Sequence, residues 1–486
     1  MVDKTIFMPE ELDNIPLYKL RLILRDLGGT PGSKNIREIK QEIIDIQSGK
    51  VIPSHNNRGR KPKTSADYVK PVQSQEESQR ADFATNDEEP SNVYQSGDVY
   101  IPFSYQVTDN DVEPGSRMVV AEGILNFMPE GYGFLRTYRY GEPRRQFHVD
   151  KQIIKAYGLK PGDYIVGYAI KRDKPTLSLC EVAKINGIDI DAFVRGVNFE
   201  ERTAIYPTES LISPEECDKT MRAIDLIAPI AKGQRGLIVA PPKTGKTTLL
   251  KKIANSIIEY NEKIKVIILL IDERPEEVSD FAQSLLSAEV VASTFDESPE
   301  KHVKFAEMAV ERAKRLVESG RDVVILLDSI TKLARAYNNV IPASGKTLSG
   351  GIDAQALVQA KKLFGSARNL KEGGSLTVIA TALTETGSRM DDIIYEEFKG
   401  TGNMEIILSR ELAQKRVFPA IDILRSGTRK EELILPEEKI EAMYKFRSSL
   451  SSKNNVSEIF LEMIKQSNNN IEFVKKLPIW IKSILS

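Results

Sequence analysis

The stretch VAPPKTGKTT, residues 239–248, closes an apolar run, GLIVA at 236–240, and leads into a helical pattern, TTLLKKIANSIIEY. Strand, tight turn and helix in that order are the setting of a phosphate-binding loop. The usual spacing, G-x-x-x-x-G-K-[ST], has Ala240 where its first glycine belongs. A methyl group fits there if φ stays negative, and Pro241 and Pro242 stiffen the turn. Gly245, Lys246 and Thr247 keep the mechanically demanding end. A phosphate in such a loop meets backbone N–H groups and the positive end of a helix. Residues Pro242, Lys243, Thr244, Gly245, Lys246, Thr247 and Thr248 are therefore the expected ATP contacts. Lys246 is expected to reach the β- and γ-phosphates, and Thr247 to bind Mg²⁺ through its hydroxyl. The bland alternative is a chance turn.

Around this loop, from 229 to about 430, apolar strands alternate with helical stretches. GLIVA, KVIILLID, VVILLD, LTVIATAL and MEIILS suit buried strands of a mainly parallel sheet, with AVERAKRLVES as one intervening helix. In such a sheet, strand ends converge on the ligand. Asp328 ends DVVILLD and is placed to hold magnesium or its water. Glu273 stands just beyond KVIILLID and is placed to polarise the attacking water, a role for which Asp272 competes. Strand-end acids also serve as plain helix caps. Arg416, Arg425 and Arg429 surround one later strand and turn, and one of them is a candidate to reach a neighbouring subunit's nucleotide. Surface ion pairing is the ordinary use of such arginines.

Upstream, residues 116–185 read as short strands separated by turn residues, which suits a five-stranded barrel of the oligonucleotide-binding type. In EGYGFLRTYRYGEPRR, Tyr132 and Phe134 alternate with glycines, so both rings fall on one face of a strand, with Arg136 beside them. Stacked bases and a phosphate contact are the functional reading, and core packing is the alternative. Residues 1–50 read as a small helical module, with a first helix expected to end at Gly28 and Gly29. Residues 51–115 run from basic NNRGRKPK to acidic SQEESQRADFATNDEEPSN and read as a disordered charged linker. RGRKPK there is either a minor-groove binder of the AT-hook kind or a solvated tail. Residues 186–228 read as a connector, and 431–486 as a helical region.

Composition narrows the classes further. Hydrophobic residues make up 41% and charged residues 28%, with a formal net charge of −1, so nucleic-acid contacts must come from local patches. The two cysteines, Cys180 and Cys217, make no disulfide framework and suit a reducing cytoplasm. The N-terminus lacks a signal-peptide pattern, and VIILLI at 266–271 is far too short to cross a bilayer.

Many adjacent motifs, among them GQRGLIVAPPKTGKT, IDERPEEV, LLDSITKLARAYN, YEEFKGTGNMEIILSR and RSGTRKEEL, closely resemble the bacterial transcription termination factor Rho family. That family writes its phosphate loop with alanine first. The resemblance implies a hexameric ring of RecA-like ATPase subunits that binds single-stranded nascent RNA, moves 5′ to 3′ and dissociates the RNA polymerase elongation complex. It implies Glu273 as catalytic glutamate, Asp328 as magnesium aspartate, Arg429 as the trans arginine finger and Arg416 as a second arginine near the phosphates. Phe418, otherwise a plain core phenylalanine, matches the aromatic that packs on adenine. Where the family usually has an RNA-contacting tyrosine on the next barrel strand, this chain has His148, with Phe147 adjacent, and both are expected RNA contacts. Lys346 and Arg389 match the two central RNA-gripping loops, the latter replacing a commoner lysine; mobile surface loops are the bland reading. Two rivals stand beside this: an F1-type ATP synthase subunit, and an RNA chaperone with a degenerate ATPase.

Overall fold

A computed structural model describes Leu20, Leu24 and residues 36–47, 50, 93–94, 101–102, 118–136, 146–171, 176–213 and 218–485. The chain divides into two compact units, 1–91 and 92–486. In the first, Leu20 and Leu24 are helical and buried with Ile39 and Ile43 of the helix Ile36–Gln47, a four-residue repeat that makes one apolar stripe. Gly28 and Gly29, expected to end the first helix, lie outside the described residues. So does most of 51–115. Two short strands within that segment, β1 (Val93–Tyr94) and β2 (Ile101–Pro102), pair antiparallel, which an unstructured linker does not predict.

The barrel consists of β3 (Met118–Phe127), β4 (Gly133–Arg136), β5 (Phe147–Val149), β6 (Tyr164–Lys171) and β7 (Leu177–Ile185). Its order is β5-β4-β3-β6-β7, and a parallel bridge from His148 to Ser178 closes the ring. Burial alternates along β4, so Leu135 joins Leu125, Val149, Ile165 and Leu179 inside while Phe134 and Arg136 face out. Asn186 and Gly187, both at positive φ, turn β7 into the short β8 (Ile188–Asp189). At the KPGD turn, Gly162 lies hard against the helix Pro299–Glu318: a Cβ there would come 2.3 Å from the Glu311 carbonyl carbon. Arg312 of that helix donates a 2.6 Å hydrogen bond to Asn186 Oδ1, so the barrel is seated on the ATPase domain.

The second sheet is built on six parallel strands. Its members are β9 (Ala204–Ile205), β10 (Arg235–Ala240), β11 (Lys265–Glu273), β12 (Glu289–Thr294), β13 (Asp322–Asp328), β14 (Arg368–Leu370), β15 (Ser375–Leu383), β16 (Met404–Ile407) and β17 (Gly427–Thr428). The parallel order is β12-β11-β13-β15-β10-β16, with β17 antiparallel at one edge. Both faces are covered: Val266, Ile268 and Leu270 belong to one core cluster, and Ile267, Leu269 and Ile271 to the other. β12 was not among the expected strands. It is an edge strand and ends in Ser293 and Thr294, so its apolar signal is short.

The expected connector is more than a connector. β9 joins the sheet through β14, and the helix Lys219–Ile227 lies in the ATPase core. The C-terminal helices continue the same core, with Phe446, Phe460, Phe473 and Trp480 in successive edge-to-face contacts. No helix among the described residues is long and apolar enough to cross a membrane.

Candidate functional site

The phosphate loop has the geometry its sequence demands. β10 ends on fully buried Ala240, paired with Leu383 of β15 in extended conformation, so the methyl group meets no backbone conflict. Lys243 and Gly245 take left-handed conformations at φ 65° and 86°, and the helix Lys246–Tyr260 starts at once. Pro242, Lys243 and Thr248 are exposed. Thr244 turns inward, its hydroxyl donating 2.7 Å to Pro241 O, and braces the loop from below. The first-turn N–H groups of this helix point out of the loop without intrahelical partners.

The acids converge on the lysine. Lys246 Nζ hydrogen-bonds Asp328 Oδ1 and stands 3.6 Å from Glu273 Oε1. Burial opposes the charge on Lys246, but Asp328 and Glu273 outweigh it and hold the ammonium above the usual lysine range. Neither acid is a helix cap. Ser329 caps the helix Ile330–Val340, and Arg274 stands at the cap position before Pro275–Ser284. Between Asp272 and Glu273 the geometry is unequal: Asp272 offers its carbonyl to Lys332, while the Glu273 carboxylate faces Lys246.

Two participants escaped the reading of the sequence. Lys332 Nζ donates 2.6 Å to Glu273 Oε2, fixing that carboxylate. Thr381 Oγ1 donates 2.8 Å to Asp328 Oδ1. The available signals were a lysine in the first turn after a strand-end aspartate, and a hydroxyl set in the apolar strand β15. Asp328 is fully buried, and its Oδ2 has no hydrogen-bond partner. An unpartnered carboxylate oxygen on the side chain that also holds the phosphate-loop lysine suits a hard cation.

Phe418 is 52% exposed, which ends the core reading. Its ring lies over the phosphate loop, with Cε1 3.5 Å from where a Gly245 Cβ would stand. Arg416, exposed and left-handed at φ 59°, belongs to the same turn. Arg429 is elsewhere. Its N–H donates 2.8 Å to Asn403 O, beside Arg235 at the start of β10, whereas the phosphate loop follows the end of that strand. Five residue steps of a strand span about 16 Å. Exposed Arg429 cannot serve the loop of its own chain.

On the barrel, Tyr132, Phe134 and His148 form one aromatic cluster, with ring centroids 5.7, 5.2 and 5.7 Å apart. Arg136 shares their face. Phe147 does not: it is 4% exposed and packs inside the barrel, a correction to its expected place among the RNA contacts. Adjacent strand residues point to opposite sides, and His148 took the outward one. Gly133 also faces inward, where a Cβ would come 2.8 Å from Leu125 Cδ1. Its smallness serves the interior rather than baring the outer face.

Lys346, on a loop, and Arg389, the first residue of the helix Arg389–Lys399, are both exposed. Gly350 of that loop tucks against Arg389 and Met390 at the start of the helix, and a groove of about 430 Å³ runs between them. Beneath it, Arg335 grips buried Asp391 through contacts of 2.9, 2.6 and 2.7 Å.

Comparison with known proteins accords with this layout. Residues 220–428 match the ATP synthase alpha/beta family, nucleotide-binding domain. Residues 121–191 match the Rho termination factor, RNA-binding domain. Transcription termination factor Rho of Bacillus subtilis (strain 168) is 49% identical over 360 residues, covering 73% of this chain and 84% of its own. The chain belongs to the transcription termination factor Rho family. Rho of Cereibacter sphaeroides is 50% identical over 365 residues, covering 73% of this chain and 86% of its own. Rho of Aquifex aeolicus is 49% identical, covering 74% and 85%. This Rho-family chain is an ATP-hydrolysing enzyme with an RNA-binding barrel, and the barrel is what separates it from the F1-type rival.

Proposed function

We propose that this Rho-family ATPase terminates transcription as a homohexameric ring that holds ATP at the seams between its copies. The barrel stacks bases of nascent single-stranded RNA on Tyr132, Phe134 and His148 and meets phosphate with Arg136. Lys346 and Arg389 grip the same strand inside the ring. At each seam Lys246 neutralises the β- and γ-phosphates, Glu273 orients the attacking water, and Phe418 packs on the adenine. Arg416 approaches the phosphates from the same copy, while Arg429 arrives from the next. Thr247 and Asp328 would hold Mg²⁺, which would offset the negative charge of the phosphates. Loss of the γ-phosphate releases the charge that Arg429 held, the seam relaxes, and the inner loops carry RNA 5′ to 3′. Repeated steps pull the transcript from the RNA polymerase elongation complex.

The observation that carries this reading is the position of Arg429 at the strand edge remote from its own phosphate loop. An arginine so placed is out of reach of its own site, as one supplied to another copy would be. The test mixes Lys246→Ala, expected to be inactive, with Arg429→Ala, expected to keep only a small residual turnover. Seams that take Lys246 from one variant and Arg429 from the other are intact, so mixtures are expected to regain RNA-stimulated ATP turnover. No recovery on mixing, or full turnover by Arg429→Ala alone, would sink the shared site.

A further inference from the structure

We infer that Asn403 is a positioning residue: it locks Arg429, the arginine offered to a second copy of the chain, onto the strand whose other end carries this copy's phosphate loop. The inference rests on the reading of Arg429 as acting in trans. Asn403 immediately precedes β16 and makes three hydrogen bonds that meet at one point. Its Oδ1 accepts from Arg235 N at 2.9 Å. Its own N–H donates to Arg235 O at 2.9 Å, and its carbonyl accepts from Arg429 N at 2.8 Å. The Arg235 side chain strengthens the joint, donating from Nε to Thr401 O and from Nη1 to Ala367 O, each at 3.1 Å.

The joint has work to do because the edge is crowded with cations. Burial, together with Arg368 and Arg429 nearby, pushes the Arg235 guanidinium below the usual arginine range. Arg235 Nε and Nη1 and Arg368 Nε donate to main-chain carbonyls, and Arg368 stacks on Phe199 with its guanidinium carbon 4.9 Å from the ring centre. Like charges at one edge drive a side chain outward. That favours contact with an anion held by another copy, provided the backbone of Arg429 stays fixed. Asn403 supplies the fixture.

The fixture also has a direction. β10 is paired on both sides, to β15 and β16, and all but its first residue are buried. A strand so enclosed moves as a unit, and rigid elements of this kind carry coupling between sites. β10 thereby joins the phosphate loop at one end to the Asn403 joint at the other.

The test uses the full chain with RNA and ATP, and compares Asn403→Ala, Asn403→Asp, Arg429→Ala and the Asn403→Ala/Arg429→Ala double variant. Asn403→Ala is expected to lower kcat about tenfold with KM for ATP changed less than about twofold, because alignment matters in the transition state rather than in binding. Asn403→Asp keeps an acceptor for Arg235 N and is expected to restore the rate. In the Arg429→Ala background the alanine at 403 is expected to cost nothing more, the signature of two residues acting through one contact. Wild-type kcat in Asn403→Ala, or an independent further loss in the double variant, overturns the inference while leaving the trans reading intact. Wild-type turnover in Arg429→Ala overturns both.

Discussion

Thr381 Oγ1 donates a 2.8 Å hydrogen bond to Asp328 Oδ1, the same oxygen that Lys246 reaches, so both partners fall on one carboxylate oxygen and the buried Oδ2 has none. Partners that orient a metal-binding carboxylate typically contribute 10–100-fold in metal affinity. Thr381→Val keeps the shape and removes the donor. It is expected to raise the Mg²⁺ concentration for half-maximal ATP turnover about tenfold. Asp328→Asn is expected to abolish turnover at any Mg²⁺ concentration. A magnesium titration of RNA-stimulated hydrolysis measures both, and an unchanged midpoint in Thr381→Val would remove the threonine from this role.

Phe418 lies over Gly245 with half its surface free, in position to cover a base without touching the phosphates. A contact made equally in ground and transition states moves KM and leaves kcat alone. Phe418→Ala is expected to raise KM for ATP by about 5–20-fold with kcat nearly unchanged, and Phe418→Tyr to retain wild-type values. A fall in kcat at constant KM would place the ring elsewhere in the cycle.

The outer face of the barrel separates stacking from charge. Tyr132→Ala and His148→Ala are each expected to weaken RNA binding by about 1–3 kcal/mol, with the salt dependence unaltered. Arg136→Ala is expected to reduce the slope of log affinity against log salt by about one. Phe147→Ala should instead lower the melting temperature, because that ring fills the barrel core. RNA titrations at several salt concentrations check the first three, and calorimetry the fourth. A steeper salt slope in Arg136→Ala would refute its assignment.

His302 is 5% exposed, and its Nδ1 lies 2.9 Å from Ser293 Oγ. Burial pushes its imidazole below the usual range, against the pull of Asp272 and Glu297. The unfolded chain takes up the proton at about pH 6.5, where the folded chain keeps His302 neutral. Its stabilising share is therefore whole above that pH and is lost as pH falls through the lower folded value. The melting-temperature gap between the natural protein and His302→Gln is expected to shrink from about pH 7.5 to about pH 5.5. A gap independent of pH would show that His302 titrates alike in both states.

Local pattern carried much of this molecule. The strand-turn-helix order around 239–248 predicts the phosphate loop, and the loop takes the conformations that its glycine and lysine permit. β3, MVVAEGILNF, falls within the 116–185 stretch that reads as short strands. β12 was harder to see, since a short edge strand ending in serine and threonine has little apolar signal. Phe147 and His148 were both placed on the RNA face, although neighbours in a strand must part. Burial then sent the phenylalanine inward and left the imidazole with Tyr132 and Phe134.

The sequence by itself determined the chemistry: a phosphate loop, strand-end acids, and aromatics spaced to share a strand face. Residue type and short spacing carry that information. Only the tertiary structure decided that Glu273 rather than Asp272 faces Lys246, that Lys332 and Thr381 bond the carboxylates of Glu273 and Asp328, and that Phe418 lies open over Gly245. It alone put Arg429 at the wrong end of β10 for its own nucleotide. These relations join segments tens to hundreds of residues apart, and they depend on parallel register and packing, which no local stretch of chain encodes.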